Sequence, residues 1–213
     1  MNLPKFTPLT LAFLFFLFLG CDKEKKGDLP ILGNRETLKD GTIKYHTIPP
    51  FSFIDQDSIP FTEKSVENNI YVVDFFFISC PSICPMVSRQ MLRVYDHFME
   101  ENKLKLVSFS IDPKRDTVER LANYARNLGV NTQKWKFVTG EKAAIFDIAK
   151  YYFSIAIENK EAPGGFDHSG RLILVDTKKQ IRSFCDGTDP KSVDVFMEDI
   201  QRLLDEMKRD EKK

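Results

Sequence analysis

From Ile48 onward, apolar and polar positions alternate in a way that divides the chain into short strands and amphipathic helices. Phe51-Ser52-Phe53-Ile54 and Ser58-Ile59-Pro60-Phe61 flank the polar run Asp55-Gln56-Asp57, which predicts a hairpin at the start of the domain. Ile70–Ile78 (IYVVDFFFI) is apolar at all but one position and predicts a strand buried on both faces. Helical spacing over Pro85–Glu101, Val118–Leu128, Glu141–Tyr152 and Ser192–Met207 alternates with strands at Leu104–Ile111, Trp135–Val138, Gly170–Val175 and Gln180–Phe184. Gly129 closes the second helix, and Asp176-Thr177-Lys178-Lys179 joins the last two strands as a hairpin. Strands interleaved with helices in this way predict an α/β fold whose central sheet is flanked by helices. Leu29–Thr47 keeps no period and reads as extended chain.

The chemistry gathers where the buried strand meets the first helix, in Phe75–Pro85 (FFFISCPSICP). Cys80 and Cys84 stand four positions apart, and on a regular helix that places Cβ atoms about 5–6 Å apart. A disulfide prefers about 3.8 Å, whereas a metal ion at roughly 2.3 Å from each sulfur spans the wider gap. Proline excludes the preceding residue from helical geometry and suits the first helical position, so Cys84 is expected at the N-cap with Pro85 following. A thiol there faces free N–H groups and the positive end of the helix dipole, which favours the thiolate. Two buried, inert cysteines are the plain alternative. A hydrophobic strand, a cysteine pair, a helix, and a closing strand pair with a last helix follow the order of a thioredoxin-like domain.

The first 20 residues change the picture of where this domain works. Lys5 precedes the wholly apolar run Leu11–Leu19, which is too short for a bilayer span of about 20 residues and reads as an export signal. Leu19-Gly20-Cys21 resembles a bacterial lipobox, with Cys21 as the lipidated new N-terminus; an ordinary signal peptide is the rival reading. The expected organisation is therefore a leader at 1–20, a lipid-anchored tether and entry segment at 21–47, and the domain at 48–213. Asp22–Asp28 (DKEKKGD) has the composition of a solvated spacer. The domain is then expected in a bacterial cell envelope, held to a membrane outside the cytoplasm.

Among the 213 residues, Lys plus Arg and Asp plus Glu number 31 each, so neither nucleic acid nor a polybasic membrane patch is indicated. The C-x-x-C-H of haem attachment is absent.

Four segments in order resemble the SCO/SenC family of copper chaperones for cytochrome c oxidase assembly: FFFISCPSICP at 75–85, SIDPKRDT at 110–117, WKFVTG at 135–140 and DHSGRLILVD at 167–176. The resemblance covers the chain from about residue 48 to its end and implies a thioredoxin-like fold. It also implies copper held by Cys80, Cys84 and His168, the histidine arriving over the cysteine pair on the loop that follows Pro163-Gly164-Gly165. Two thiolates and an imidazole form a soft three-donor set suited to Cu(I) and able to hold Cu(II). Asp167 is a candidate to orient the ring; a plain loop carboxylate is the alternative. Asp74, six residues before Cys80, occupies the offset of the buried acid beneath thioredoxin thiols, and a solvent-facing carboxylate is equally compatible. Asp112 reads as a turn cap beside Pro113, and Cys185 as a semi-buried small hydrophobe.

The implied partner is the oxidase subunit carrying the binuclear copper site. The same residues permit a second function, a thiol–disulfide oxidoreductase acting on that subunit's cysteines or on another exported protein. A closed zinc site needs a fourth ligand. His46 and His97 are poor candidates for it, one in the entry segment and the other on the first helix.

Overall fold

The computed structural model describes residues 27–212. The strands are β1 Arg35–Thr37, β2 Ile43–Tyr45, β3 Ser52–Asp55, β4 Pro60–Thr62, β5 Ile70–Phe76, β6 Leu104–Ser110, β7 Trp135–Thr139, β8 Ala156–Glu158, β9 Phe166–His168, β10 Arg171–Val175 and β11 Ile181–Asp186. Four α-helices, α1 Cys84–His97, α2 Val118–Leu128, α3 Lys142–Tyr151 and α4 Pro190–Asp210, and two short 3-10 turns, Glu63–Val66 and Pro163–Gly165, complete the described fold.

Seven strands form one sheet in the order β11-β10-β5-β6-β7-β3-β4. β5, β6 and β7 run parallel at its centre, and the remaining pairings are antiparallel. Successive side chains of a strand point to opposite faces, so burial of all seven residues of β5 means that both faces of the sheet are covered there. The expected N-terminal hairpin is β3–β4, and it continues the main sheet as its edge through β3 and β7. Its phenylalanines pack on the centre: Phe109 of β6 meets Phe51, Phe53, Phe61, Phe75 and Tyr152 at ring-centroid distances from 5.4 to 6.4 Å.

The segment 29–47 departs from the reading as plain extended chain. β1 and β2 form a hairpin closed by Lys39-Asp40-Gly41, in which Gly41 takes φ 83° and Asp40 Oδ1 accepts from Thr42 N at 2.9 Å. Before it, the chain is fastened to α4 and β11. Arg182, buried, pairs with Asp176 at 3.1 Å and Glu206 at 2.8 Å and donates to the carbonyls of Leu29 and Pro30. This entry point shares a cleft with Ile70, the first residue of β5, so the chain joins the domain at the opposite end of β5 from the cysteines.

Helix α4 starts two residues earlier than its apolar period suggests, because Asp189 caps it with Pro190 at the first helical position. Its carboxylate accepts from the backbone N–H groups of Lys191 (3.1 Å) and Ser192 (3.2 Å). Asp189→Ala should cost about 1 kcal/mol of stability, read as a lower urea midpoint with an unchanged slope; no shift would mean that water caps this helix equally well.

Candidate metal centre

The β5 ladder ends at Phe76 rather than at Ile78, and the reason lies in the loop between β6 and α2. Ile78 N donates to Asp116 Oδ2 at 3.0 Å, and Ser79 Oγ accepts from Arg120 at 2.7 Å, so both residues leave the strand for partners in that loop and on α2. Asp116 is fully buried and also accepts from Ser110 Oγ at 2.7 Å. Cys80 N then donates to Phe77 O at 3.2 Å, turning the chain toward α1.

The helix starts one residue earlier than the proline pattern predicts. Ile83 is the N-cap, with φ −86° and no side-chain cap, and Cys84 is already helical. Its free N–H donates to Cys80 Sγ at 3.5 Å, so the loop sulfur serves one of the donors that a capping oxygen would otherwise satisfy. This reverses the expected division between the thiols. Burial works against the Cys80 thiolate, but hydrogen bonds from Cys84 and Ser82 outweigh it and hold Cys80 below the ordinary thiol range. Cys84 points inward, and burial pushes its thiol well above that range, with the charge positions of Cys80 and Asp74 adding to the rise. Its place on the helix therefore does not make Cys84 the easy thiolate; the helix N-terminus acts on Cys80.

His168 is brought in by β8 and β9, which pair with each other apart from the main sheet. The turn before β9 needs its glycines, since Gly164 and Gly165 take φ 79° and 92°. The loop before His168 is thus the connection of a hairpin, with a short 3-10 turn at Pro163–Gly165. Alternation along β9 turns Phe166 and His168 inward and Asp167 outward. Asp167 consequently does not orient the imidazole: its Oδ2 accepts from Asn159 Nδ2 at 2.7 Å on the exposed side. The ring is positioned instead by Phe77, edge-on at a centroid distance of 5.5 Å.

His168 Nε2 lies 3.3 Å from Cys84 Sγ and 3.6 Å from Cys80 Sγ, and the donor atoms of the three residues all lie within 4.8 Å of one another. An ion placed roughly 2.3 Å from sulfur and 2.0 Å from nitrogen, with its donors in a trigonal plane, requires sulfur–nitrogen separations of about 3.7 Å, and both observed ones lie within a few tenths of an ångström of that. Burial lowers the His168 pKa, with backbone groups of Phe75 and Ser169 acting weakly the other way, which keeps the ring neutral and able to ligate at neutral pH. Its Nδ1 is buried without a hydrogen-bond partner. The sulfurs are covered, yet Pro81, Ser82, Pro85 and Met86 around them are exposed, so the donor group lies close to the surface.

Asp74 lies beneath this group in the middle of β5, buried at 2% exposure, and burial pushes its carboxyl up to about 7. Ser108 Oγ donates to it and in turn accepts from Trp135 Nε1 at 2.9 Å. Asp112 turns its carboxylate to Arg115. Cys185 is buried in β11 opposite Leu172, outside the donor group. His46 binds Tyr151 O at 2.7 Å and stacks on aromatic rings, and His97 packs on Phe98; neither joins the donor group. Cys21 lies outside the described residues, within which no helix is long and apolar enough to cross a membrane. Sequence reasoning missed Ser82, Ser108, Arg115 and Arg120. Ser108, Arg115 and Arg120 sit in or within three residues of the SIDPKRDT segment, and their role depends on which distant loops the fold sets against it.

Comparison with known proteins places the fold and the sequence in one family. The family model described as SCO1/SenC matches residues 39–205. The SCO1 protein homolog of Bacillus subtilis (strain 168) is 25% identical over 158 residues, covering 73% of this chain and 82% of that protein. The crystal structure of a SCO1/SenC family lipoprotein from Bacillus anthracis str. Ames superposes with a TM-score of 0.68 at 25% identity, over 74% of this chain and 95% of that one. Arabidopsis thaliana ScoI, crystallised with copper bound, superposes with a TM-score of 0.61 at 25% identity, over 72% of this chain and 98% of that one.

Proposed function

Because the chain belongs to the SCO1/SenC family, we propose that it is a membrane-anchored copper chaperone that holds copper between Cys80, Cys84 and His168. Delivery is to the binuclear copper site of the cytochrome c oxidase subunit during its assembly. The observation that carries this reading is the convergence of two sulfurs and one ring nitrogen within 4.8 Å on three separately positioned elements. The copper-bound Arabidopsis neighbour supports it. Thiolates are the soft donors that retain Cu(I), and the imidazole adds the harder donor that accommodates Cu(II). A covered but near-surface site lets a partner's thiolate or imidazole replace the donors one at a time, so the cargo passes without being released to water.

In this reading Cys21 carries the lipid and the domain stands outside the cytoplasm. The chain enters the fold at the end of β5 remote from the cysteines, which supports a reading in which the tether leaves the donor group free to meet a partner.

A second reading is favoured by the split between the thiols. Cys80, held low by N–H donors, suits attack on a disulfide, and Cys84, held high, suits the resolving role. His168 separates the two activities. Anaerobic copper titration of the reduced chain lacking its leader should give one tightly held copper per chain, lost or much weakened in His168→Ala, while dithiol exchange in that variant stays largely intact. Failure to retain copper, with a cysteine pair that cycles readily, would overturn the chaperone reading in favour of the oxidoreductase.

A further inference from the structure

The hairpin that carries His168 is not part of the main sheet, so something else must hold it over the cysteines. Three contacts converge on one side chain. Arg115, in the turn between β6 and α2, donates from its NH2 group to Gly164 O at 2.8 Å. Its guanidinium lies 5.9 Å from the ring centroids of both Phe77 and Phe166, the first leading into the cysteine loop and the second two residues before His168. Its Nε is held by the carboxylate of Asp112, which is buried at 5% exposure and so fixes the plane of the fork. Around the same residues, Asp116 and Arg120 hold Ile78 and Ser79. One turn therefore grips the cysteine loop from one side and the histidine hairpin from the other.

The surface that Arg115 presses together is closely fitted. A Cβ on Gly164 would stand 2.7 and 2.8 Å from carbons of the Phe77 ring and 3.2 Å from Pro81 Cδ. The turn backbone thus rests directly on the residues that flank Cys80. Lys142 supports the hairpin from behind, pairing with Glu158 at 2.6 Å and lying 5.5 Å from the Phe166 ring.

We propose that Arg115 is a positioning residue, a latch from the β6–α2 turn to the Gly164 carbonyl that sets the occupancy of His168 over Cys80 and Cys84. The proposal rests on the reading of those three residues as the donor set. With the latch closed the site offers two sulfurs and a nitrogen; with it open, two sulfurs alone, the form from which a partner takes the cargo. The planar fork and the stacked face are properties of arginine that lysine does not reproduce.

The test uses the full chain in detergent, as Arg115→Gln, Arg115→Lys, Gly164→Ala and His168→Ala. In the reduced, metal-free protein, amide hydrogen exchange over residues 156–168 should accelerate about tenfold or more in Arg115→Gln, with exchange in β5 and β6 and the melting temperature little changed. Arg115→Lys should fall between that variant and the parent. Gly164→Ala, which leaves Arg115 in place, should loosen the same segment. Loaded with Cu(II), Arg115→Gln should lose most of the imidazole nitrogen hyperfine signature and bind about tenfold more weakly. Adding Arg115→Gln to His168→Ala should cost nothing further, because the latch acts through the histidine. Unchanged hairpin exchange in Arg115→Gln, or additive losses in the double variant, would overturn the proposal. If His168→Ala retains copper normally, the donor reading falls, and the metal-free exchange data decide the latch by themselves.

Discussion

Cys84→Ser should weaken copper binding by more than about 100-fold at pH 7, and the loss should shrink as the pH is lowered. The magnitude follows from what is removed: misplacing the partner of a ligand already costs 10–100-fold, and here a thiolate ligand is lost outright. The pH dependence follows from burial. Cys84 is pushed well above the ordinary thiol range, so in the neutral region it carries a proton that the metal must displace. Each displaced proton makes affinity rise about tenfold per pH unit, so Cys84 alone should contribute about 100-fold between pH 6 and pH 8. Cys80 is shifted the other way and contributes less. His168 is shifted down, is already neutral over most of this range, and adds little. Competition against a chelator of known affinity across that interval, on the parent and Cys84→Ser, would measure both slopes. The variant's slope should be smaller by one proton. An equal slope in both proteins would show that Cys84 is not the protonated donor.

The cysteine pair was legible in the sequence for a physical reason, whereas His168 entered only through the family resemblance. Strand, cysteines and proline are contiguous, and local rules of burial and helix initiation act on contiguous residues. The same rules misplaced the helix start by one position, because they cannot foresee that Cys80 Sγ turns back to accept from Cys84 N. Hydrogen bonds from Cys84 and Ser82 to Cys80, together with the burial of Cys84, moved the favoured thiolate from Cys84 to Cys80. Local signals such as the Lys39-Asp40-Gly41 turn and the Asp189-Pro190 helix start were readable but masked by weak periodicity around them. Arg115 and Ser108 were not readable. Arg115 acts across a sequence separation of 49 residues to Gly164 and Ser108 across 34 to Asp74, and only the parallel order of β5 and β6 and the folding back of β9 set them against their partners. Asp167 shows the converse: adjacency to His168 suggested partnership, and strand alternation places the two on opposite faces.

Asp74 carries the second large expectation, a stability that declines with pH in the metal-free reduced domain. Its folded carboxyl titrates near 7, against about 3.9 for an unfolded aspartate. The folded state therefore keeps its proton over an interval in which the unfolded chain has lost it. Stability from this group is fully present below about pH 4, falls by about 1.4 kcal/mol per unit up to about pH 7, and is flat above, a total near 4 kcal/mol. His168 has the opposite sign, since its folded pKa is lowered and its stability contribution rises with pH through the range just below its unfolded value. The comparison that isolates Asp74 is thus a difference, urea unfolding of the parent and Asp74→Asn at each pH from 5 to 8. Asparagine keeps the shape and can still accept from Ser108, whose oxygen remains occupied by Trp135. Asp74→Asn should gain on the parent with rising pH up to about pH 7 and hold that gain to pH 8. Parallel curves would show that the folded Asp74 carboxyl is not raised into this range. The same charge bears on the thiols: an ionised Asp74 beneath Cys84 raises that thiol further. Removing it should speed alkylation of Cys84 at pH 8, and that links the strand's one buried acid to the proton that copper must displace.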